Sequence, residues 1–324
     1  MGMRRGRFII FLTVSLAALF ICPWFGVHNI SLFDLMGDNG VLEARIFWQL
    51  RVPRVIMAWC AGATLGICGM AFQALFRNPL AEPSLLGVSS GAALGAAVAI
   101  RFGFTGSLPS SITLPISAFL GAMASISVIS AFSRLVRSAK DVTLLLAGVA
   151  ISALFSSFIM VLQYTGGPVE TYKLLSWTMG GIQAIGMREG LQSIPALAVA
   201  FILAIRYSAE MDLITFGDEI ASSKGVDLER VKWVMFTGIS LSIAIVVANC
   251  GPVAFLGLIA PHLARYAAGP RHFGLTVLTA FIGGAALLIC DTAARTLWAP
   301  ADLPVGVVVS FLGAPFFLWL LFSK

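Results

Sequence analysis

Charge is what this sequence has least of. It holds 15 acidic and 21 basic side chains in 324 residues, 11% charged against 59% hydrophobic, whereas a soluble globular domain carries about 25% charged residues. So few charges cannot cover a water-soluble core of this size, and the excess apolar surface calls for lipid as solvent. Metal-ligand patterns are missing too. Cys22, Cys60, Cys68, Cys250 and Cys290 make no CxxC spacing, and His28, His262 and His272 have no partner at helical spacing. No Gly-x4-Gly-Lys-Ser/Thr string occurs, so a P-loop phosphate cradle must lie on another chain. No Ser/His, paired-Asp or HExxH arrangement supplies an intramembrane enzyme with a mechanism. The net charge of +6 comes in short clusters between apolar runs rather than in a basic stripe with interleaved aromatics, which excludes nucleic acid as a partner. Ionisable residues in mid-membrane, which an ion-coupled secondary transporter needs, are scarce.

What is abundant is apolar sequence in runs near the roughly 20 residues that cross a bilayer. Ten such runs predict an all-α polytopic membrane protein: 8–27, 52–76, 85–100, 112–132, 142–164, 191–205, 231–248, 253–268, 273–290 and 303–322. The first follows Arg4, Arg5 and Arg7 but ends in no small-x-small cleavage site, so it is expected to stay as a helix. The runs 85–100, 191–205 and 253–268 are short for a perpendicular span. Ten crossings put both termini on one side. Arg45, Arg51, Arg54, Arg101, Lys173, Arg188 and Arg295 fall on the opposite side, seven of the 21 basic residues, and the other fourteen share the side of the termini. By the positive-inside rule both termini are expected in the cytoplasm. Gly62-x3-Gly66 and Gly87-x3-Gly91-x3-Gly95 predict close helix packing.

Three polar concentrations stand out. The longest cytoplasmic loop, 206–232, has Gly217 and Gly225 bracketing a short helical stretch that Asp218 and Glu219 open, where acidic groups suit the helix dipole; it reads as a docking element. On the outer side Arg51 and Arg54 flank Pro53 at the start of the second span, against the charge bias. Asp291 and Arg295 sit at i and i+4, so they can pair on one helix face or turn the arginine outward to a partner. Within the spans Gln73, Gln163, Asn249, Ser125, Ser127 and Ser130 can line a pathway or bond between helices. Proline and glycine break the chain at 78–83, 251–252 and 260–262, expected to lie inside the bundle.

These blocks together resemble the permease subunits of the ATP-driven importers for iron–siderophore complexes, haem and vitamin B12. The matching text is Arg51-Val-Pro-Arg54, Gln73-Ala-Leu-Phe-Arg-Asn-Pro-Leu-Ala-Glu-Pro83, Leu86-Gly-Val-Ser-Ser-Gly-Ala92, Leu144-Leu-Leu-Ala-Gly-Val-Ala150, Phe255-Leu-Gly-Leu-Ile-Ala-Pro-His262, Asp291-Thr-Ala-Ala-Arg295, and Leu303-Pro-Val-Gly306 with Gly313-Ala-Pro315. The resemblance implies one transmembrane permease domain over 1–324, of the type II importer architecture, with 206–232 as its coupling loop. It implies a dimer with a second permease subunit, two ATP-binding cassette subunits that hold ATP and Mg, a periplasmic or lipid-anchored binding protein, and no cofactor on this chain. Gly217, Asp218, Glu219, Ile220, Ala221, Lys224 and Gly225 then form the helix that enters a cleft of the ATPase. Arg51, Arg54 and Arg295 receive acidic side chains of the binding protein, and Asp141, Val142 and Thr143 align with the inner gate. A ferric siderophore in a bacterial inner membrane is the expected cargo and place, with haem and cobalamin as rivals.

Overall fold

The computed structural model describes residues 2–26, 41–82, 84, 87–103, 110–135, 141–299 and 301–322. Among them there is no strand. All ten expected spans are helical: α1 (Gly2–Ile21), α3 (Val52–Leu75), α4 (Val88–Phe102), α5 (Ser110–Leu135), α6 (Asp141–Thr165), α9 (Ile194–Arg206), α12 (Leu228–Cys250), α13 (Leu256–Ala268), α14 (His272–Thr296) and α15 (Val305–Phe322). Two of the three short spans stay short, α4 with 15 residues and α13 with 13. The third is lengthened at its start by α8 (Met187–Gly190) and a turn, giving a 20-residue span over Met187–Arg206. Four further α-helices lie outside the expected spans among the described residues: α2 (Val41–Arg45), α7 (Pro168–Thr178), α10 (Ser208–Phe216) and α11 (Asp218–Ser223). Each is too short or too polar for a hydropathy reading to find. Side-chain contacts keep the two sides apart. Arg101 of α4 reaches Glu170 of α7 on the far side, while His272 of α14 meets Asp212 of α10 on the side of the termini.

The centre of the bundle is α3, almost wholly buried, with α14 as its main neighbour and α9, α12 and α13 around it. Without a hydrophobic force between helices in lipid, the bundle rests on close backbone approach. Here the glycine pattern has its use. Gly62 of α3 meets Gly283 of α14, and Gly91 of α4 meets Gly121 of α5, each so closely that a Cβ would overlap the opposing carbonyl. Gly69 faces Gly257 of α13 more tightly still. Gly69→Ala is expected to lower stability by about 2–3 kcal/mol, in the overpacking range, whereas Gly274→Ala, with nothing within 4 Å, has room for the methyl. Thermal unfolding in detergent tests both; equal midpoints would refute the packing argument.

Prolines shape the centre through the carbonyls they leave unpaired. Pro53, in the first turn of α3, has no N–H for the carbonyl of Gln49. The chain ahead of it widens into a π-helix over Ile46–Arg51, and the N–H of Gly186 takes the freed Gln49 carbonyl at 2.7 Å. Gly190 of α8 then packs directly on Pro53. Pro261, inside α13, likewise frees the carbonyl of Gly257. Gln73 of α3 donates its Nε2 to that oxygen at 3.3 Å, and Arg265 holds the Gln73 Oε1 at 2.6 Å.

Candidate functional site

Two polar regions stand at opposite ends of the bundle. On the side of the termini, the loop between α9 and α12 folds as α10 and α11 (Asp218–Ser223). The helical stretch expected between Gly217 and Gly225 is there, joined by a helix the sequence reading did not see. Gly217 turns the chain with φ +130°, and Gly225, φ +83°, ends α11 in a left-handed cap: its N–H bonds the Ser222 carbonyl and the N–H of Val226 bonds Ala221. Asp227 caps α12 by accepting the Arg230 N–H at 3.1 Å. Underneath, Met211, Ile214 and Ala221 are buried, and Asp212 of α10 accepts the His272 N–H at 2.9 Å with the imidazole Nδ1 at 2.5 Å. The pair of short helices is thus fastened to the bundle.

The exposed face is narrower than the expected residue set. Asp218 turns inward, with one carboxylate oxygen 3.0 Å from Lys232 Nζ and 3.6 Å from Arg77 Nη2. Ala221 is buried under α11. Glu219, Ile220 and Lys224 are exposed, and Phe216, which the sequence reading did not single out, joins them at 73% exposure with Ile220 at 47%. Phe216 closes α10, and Glu219 and Ile220 follow across the turn at Gly217 in the first turn of α11, so two exposed apolar side chains stand close in the chain to one carboxylate beyond the apolar spans. The signal was Phe216 itself, a large apolar residue directly before Gly217 in a loop rich in charge.

On the far side, Arg51, Arg54 and Arg295 come together as their order in the motif suggests, yet all three are engaged within the chain. Arg51 is 5% exposed and donates Nη1 to the carbonyls of Pro23 and Trp24, where α1 gives way to a 3-10 turn. Arg54 grips both oxygens of Asp291 at 2.9–3.2 Å and reaches Asp302 at 3.4 Å. Arg295 Nε lies 3.2 Å from the other side of Asp291, and its Nη1 reaches the Phe25 carbonyl. Arg51 and Arg295 are buried within the chain, and Arg54 is the more accessible of the three. The carbonyls of Pro23 and Trp24 hold Arg51 inside the protein, and a fully buried Asp291 draws in the other two. A cavity of about 830 Å³ opens beside them, lined among others by Arg54, Lys173, Trp177, Gln183, Asn249 and Asp302.

The span polar residues divide. Gln73 bonds between helices, as does Ser125, which donates to the Gly87 carbonyl at 2.8 Å. Ser127 and Asn249 bond within their own helices, to Met123 and Ile245. At the expected inner gate α6 starts at Asp141 and Thr143 is half-buried, while the side chains of Asp141 and Val142 lie outside the described residues. Among the described residues no three His, Cys, Asp or Glu side chains gather as metal ligands.

A bundle of ten apolar helices with a fastened helix pair beyond one face is the build of a multi-pass membrane permease. The chain belongs to the FecCD transport family, whose profile matches residues 9–323. It is 37% identical over 282 residues to the hemin transport system permease HmuU of Yersinia pestis, covering 86% of this chain and 84% of that one. It is 30% identical over 322 residues to the iron(3+)-hydroxamate import permease FhuG of Bacillus subtilis, covering 97% and 93%. With the vitamin B12 import permease BtuC of Shigella boydii it shares 35% over 316 residues, covering 97% and 94%. The solved inward-facing conformation of a metal-chelate type ABC transporter superposes with a TM-score of 0.87 at 27% identity, covering 98% of this chain and 99% of the other.

Proposed function

We propose that this chain is the permease subunit of an ATP-driven importer that carries a ferric siderophore from a binding protein across a bacterial inner membrane. The observation that carries the reading is the exposed face of Phe216, Glu219 and Ile220 on a helix pair anchored to the bundle. Apolar side chains outside the lipid band and flanking a charge suit a protein partner. The ATPase subunits are that partner: the chain has no P-loop string, so energy has to arrive through a contact. The two-to-one excess of Lys and Arg on this side supports a cytoplasmic position for it and for both termini.

The second permease subunit meets α6 and its surroundings. This helix is the least buried of the long spans, and Leu154, Phe158 and Met160 are exposed along it with Ser156 and Ser157 between them. On the outer side a carboxylate of the binding protein displaces Asp302 from Arg54. Asp302 is 63% exposed and holds only one guanidinium nitrogen, so the exchange is easy, while Asp291 keeps the arginine oriented. Asp302→Asn should therefore tighten binding-protein docking about 2–5-fold at low salt, an effect that salt screens. Docking that weakens or stays unchanged would remove Arg54 as the receiving group.

Relatives named for haemin, hydroxamate and vitamin B12 stand at 37, 30 and 35% identity, so cargo is decided by transport. In vesicles holding the full complex, ATP-dependent uptake of a ferric hydroxamate over haemin and cobalamin is the expected result. Preference for haemin or cobalamin would replace the cargo and keep the importer. Uptake driven by an ion gradient with no ATPase subunit would overturn the importer itself.

A further inference from the structure

Arg77 and Phe255 are the two non-glycine residues with positive φ among the described residues, at +47° and +64°. Both are tied to residues 73–82. Arg77 ends α3 in the left-handed position that glycine fills without strain. The turn is closed by Asn78 N–H on the Gln73 carbonyl, Leu80 N–H on the Asn78 side chain and Ala81 N–H on the Asn78 carbonyl. The Arg77 guanidinium lies 3.6 Å from Asp218, the first residue of α11. At the other end Glu82, buried in the protein, accepts the N–H of Phe255, the residue that starts α13, and the Phe255 ring packs on Gly313 of α15. Gln73 holds the same helix again at the carbonyl that Pro261 leaves open.

The same short segment thus grips the broken helix α13 at two points and α11 at one. Helix α13 has 13 residues, about 20 Å at 1.5 Å per residue, so its N-terminus lies within the depth of the bundle rather than at its far surface. A helix start there depends on whatever satisfies its first N–H groups. Glu82 does that for Phe255.

We infer that residues 73–82 are a strap that transmits displacement of α11 to the N-terminus of α13, with Arg77 and Glu82 as its positioning residues. The inference rests on the coupling role of α11 given above. When an ATPase subunit moves α11, Asp218 carries Arg77 with it. The hydrogen-bonded turn transfers the movement to Glu82, and the start of α13 shifts or loses its acceptor. Two left-handed residues are places where a small dihedral change re-aims the chain, and strain of this kind persists only where surrounding contacts enforce it.

The test is amide hydrogen exchange at residues 254–259 in the purified complex with its ATPase subunits, with and without a non-hydrolysable ATP analogue. In the wild type the analogue should change exchange there at least fivefold. In Arg77→Gln and Glu82→Ala the change should fall below twofold, although the ATPase subunits still co-purify and hydrolyse ATP; Arg77→Lys should restore it. Arg77→Gly keeps the left-handed turn without strain and separates loss of the ion pair from misfolding: it should behave as Arg77→Gln does. A wild type without a nucleotide-dependent change, or an Arg77→Gly variant that keeps the full change, overturns the strap. A wild-type chain that retains no ATPase subunits overturns the coupling role instead.

Discussion

Asp291→Ala will destabilise the folded chain by about 3–5 kcal/mol, the loss seen when one partner of a buried ion pair is removed. The Asp291 carboxylate is fully buried and is the shared counter-charge of Arg54 and Arg295. Without it two guanidinium groups face each other, with only the exposed Asp302 near Arg54. Asp291→Asn keeps the shape and loses the charge, so it should fall most of the way. Replacing Arg54, Asp291 and Arg295 together by apolar residues of similar volume should recover most of the stability, because the desolvation of all three charges goes with them. Thermal unfolding in detergent decides between these outcomes. An Asp291→Ala chain within about 1 kcal/mol of the wild type would mean that solvent already shields the cluster, as at a surface pair. Arg51→Gln should also destabilise, since the carbonyls of Pro23 and Trp24 lose their donor, and the loss should be independent of the binding protein.

The second large effect lies at the other end. Phe216→Asp combined with Ile220→Asp should weaken capture of the ATPase subunits by about 100-fold or more, in line with loss of central apolar anchors worth about 2 kcal/mol or more each. Both side chains are exposed, so the permease itself should unfold as the wild type does. Asp218→Asn should behave differently. It breaks the ties to Lys232 and Arg77 inside the permease, so it should lower stability modestly and disturb coupling more than assembly. Co-purification with quantified subunit ratios separates the two. Full capture by the Phe216/Ile220 double variant would show that the partner reads another face.

Much of the fold could be read directly because hydropathy and charge bias are properties of short windows. Ten spans, their alternation between sides and a structured stretch between Gly217 and Gly225 follow from residues within about 20 positions of one another. What short windows could not place has one cause. Spacing places Arg51 and Arg54 on one helix face, but their partners come from distant parts of the chain: one ends on carbonyls of the first span's tail, the other on a carboxylate 237 residues away. Asp218 suits a helix start, and it does open α11, yet its charge is claimed by Arg77, from the turn after α3, and by Lys232 of α12. Helix α10 was missed because its stabilisation comes from burying Met211 and Ile214 against α3 and α14 rather than from its own composition.

The resemblance blocks took on physical meaning only with packing. Gln73 and Pro261 are far apart in the chain, and neither alone signals a bond. Together they resolve one defect, since the proline frees the Gly257 carbonyl and the amide occupies it. Gly69 permits that approach by presenting no side chain to Gly257.

The amino-acid sequence by itself determined that this chain lives in a membrane, where its spans run, which ends share a side and to which family it belongs. Those follow from transfer of apolar groups into lipid and from local pattern, which need no knowledge of neighbours. Tertiary structure alone decided which charges are free and which are spoken for, which glycines are contacts, and which carbonyls left open by proline are filled. Each of these depends on groups brought together from distant parts of the chain, at distances where a single ångström separates a bond from a clash.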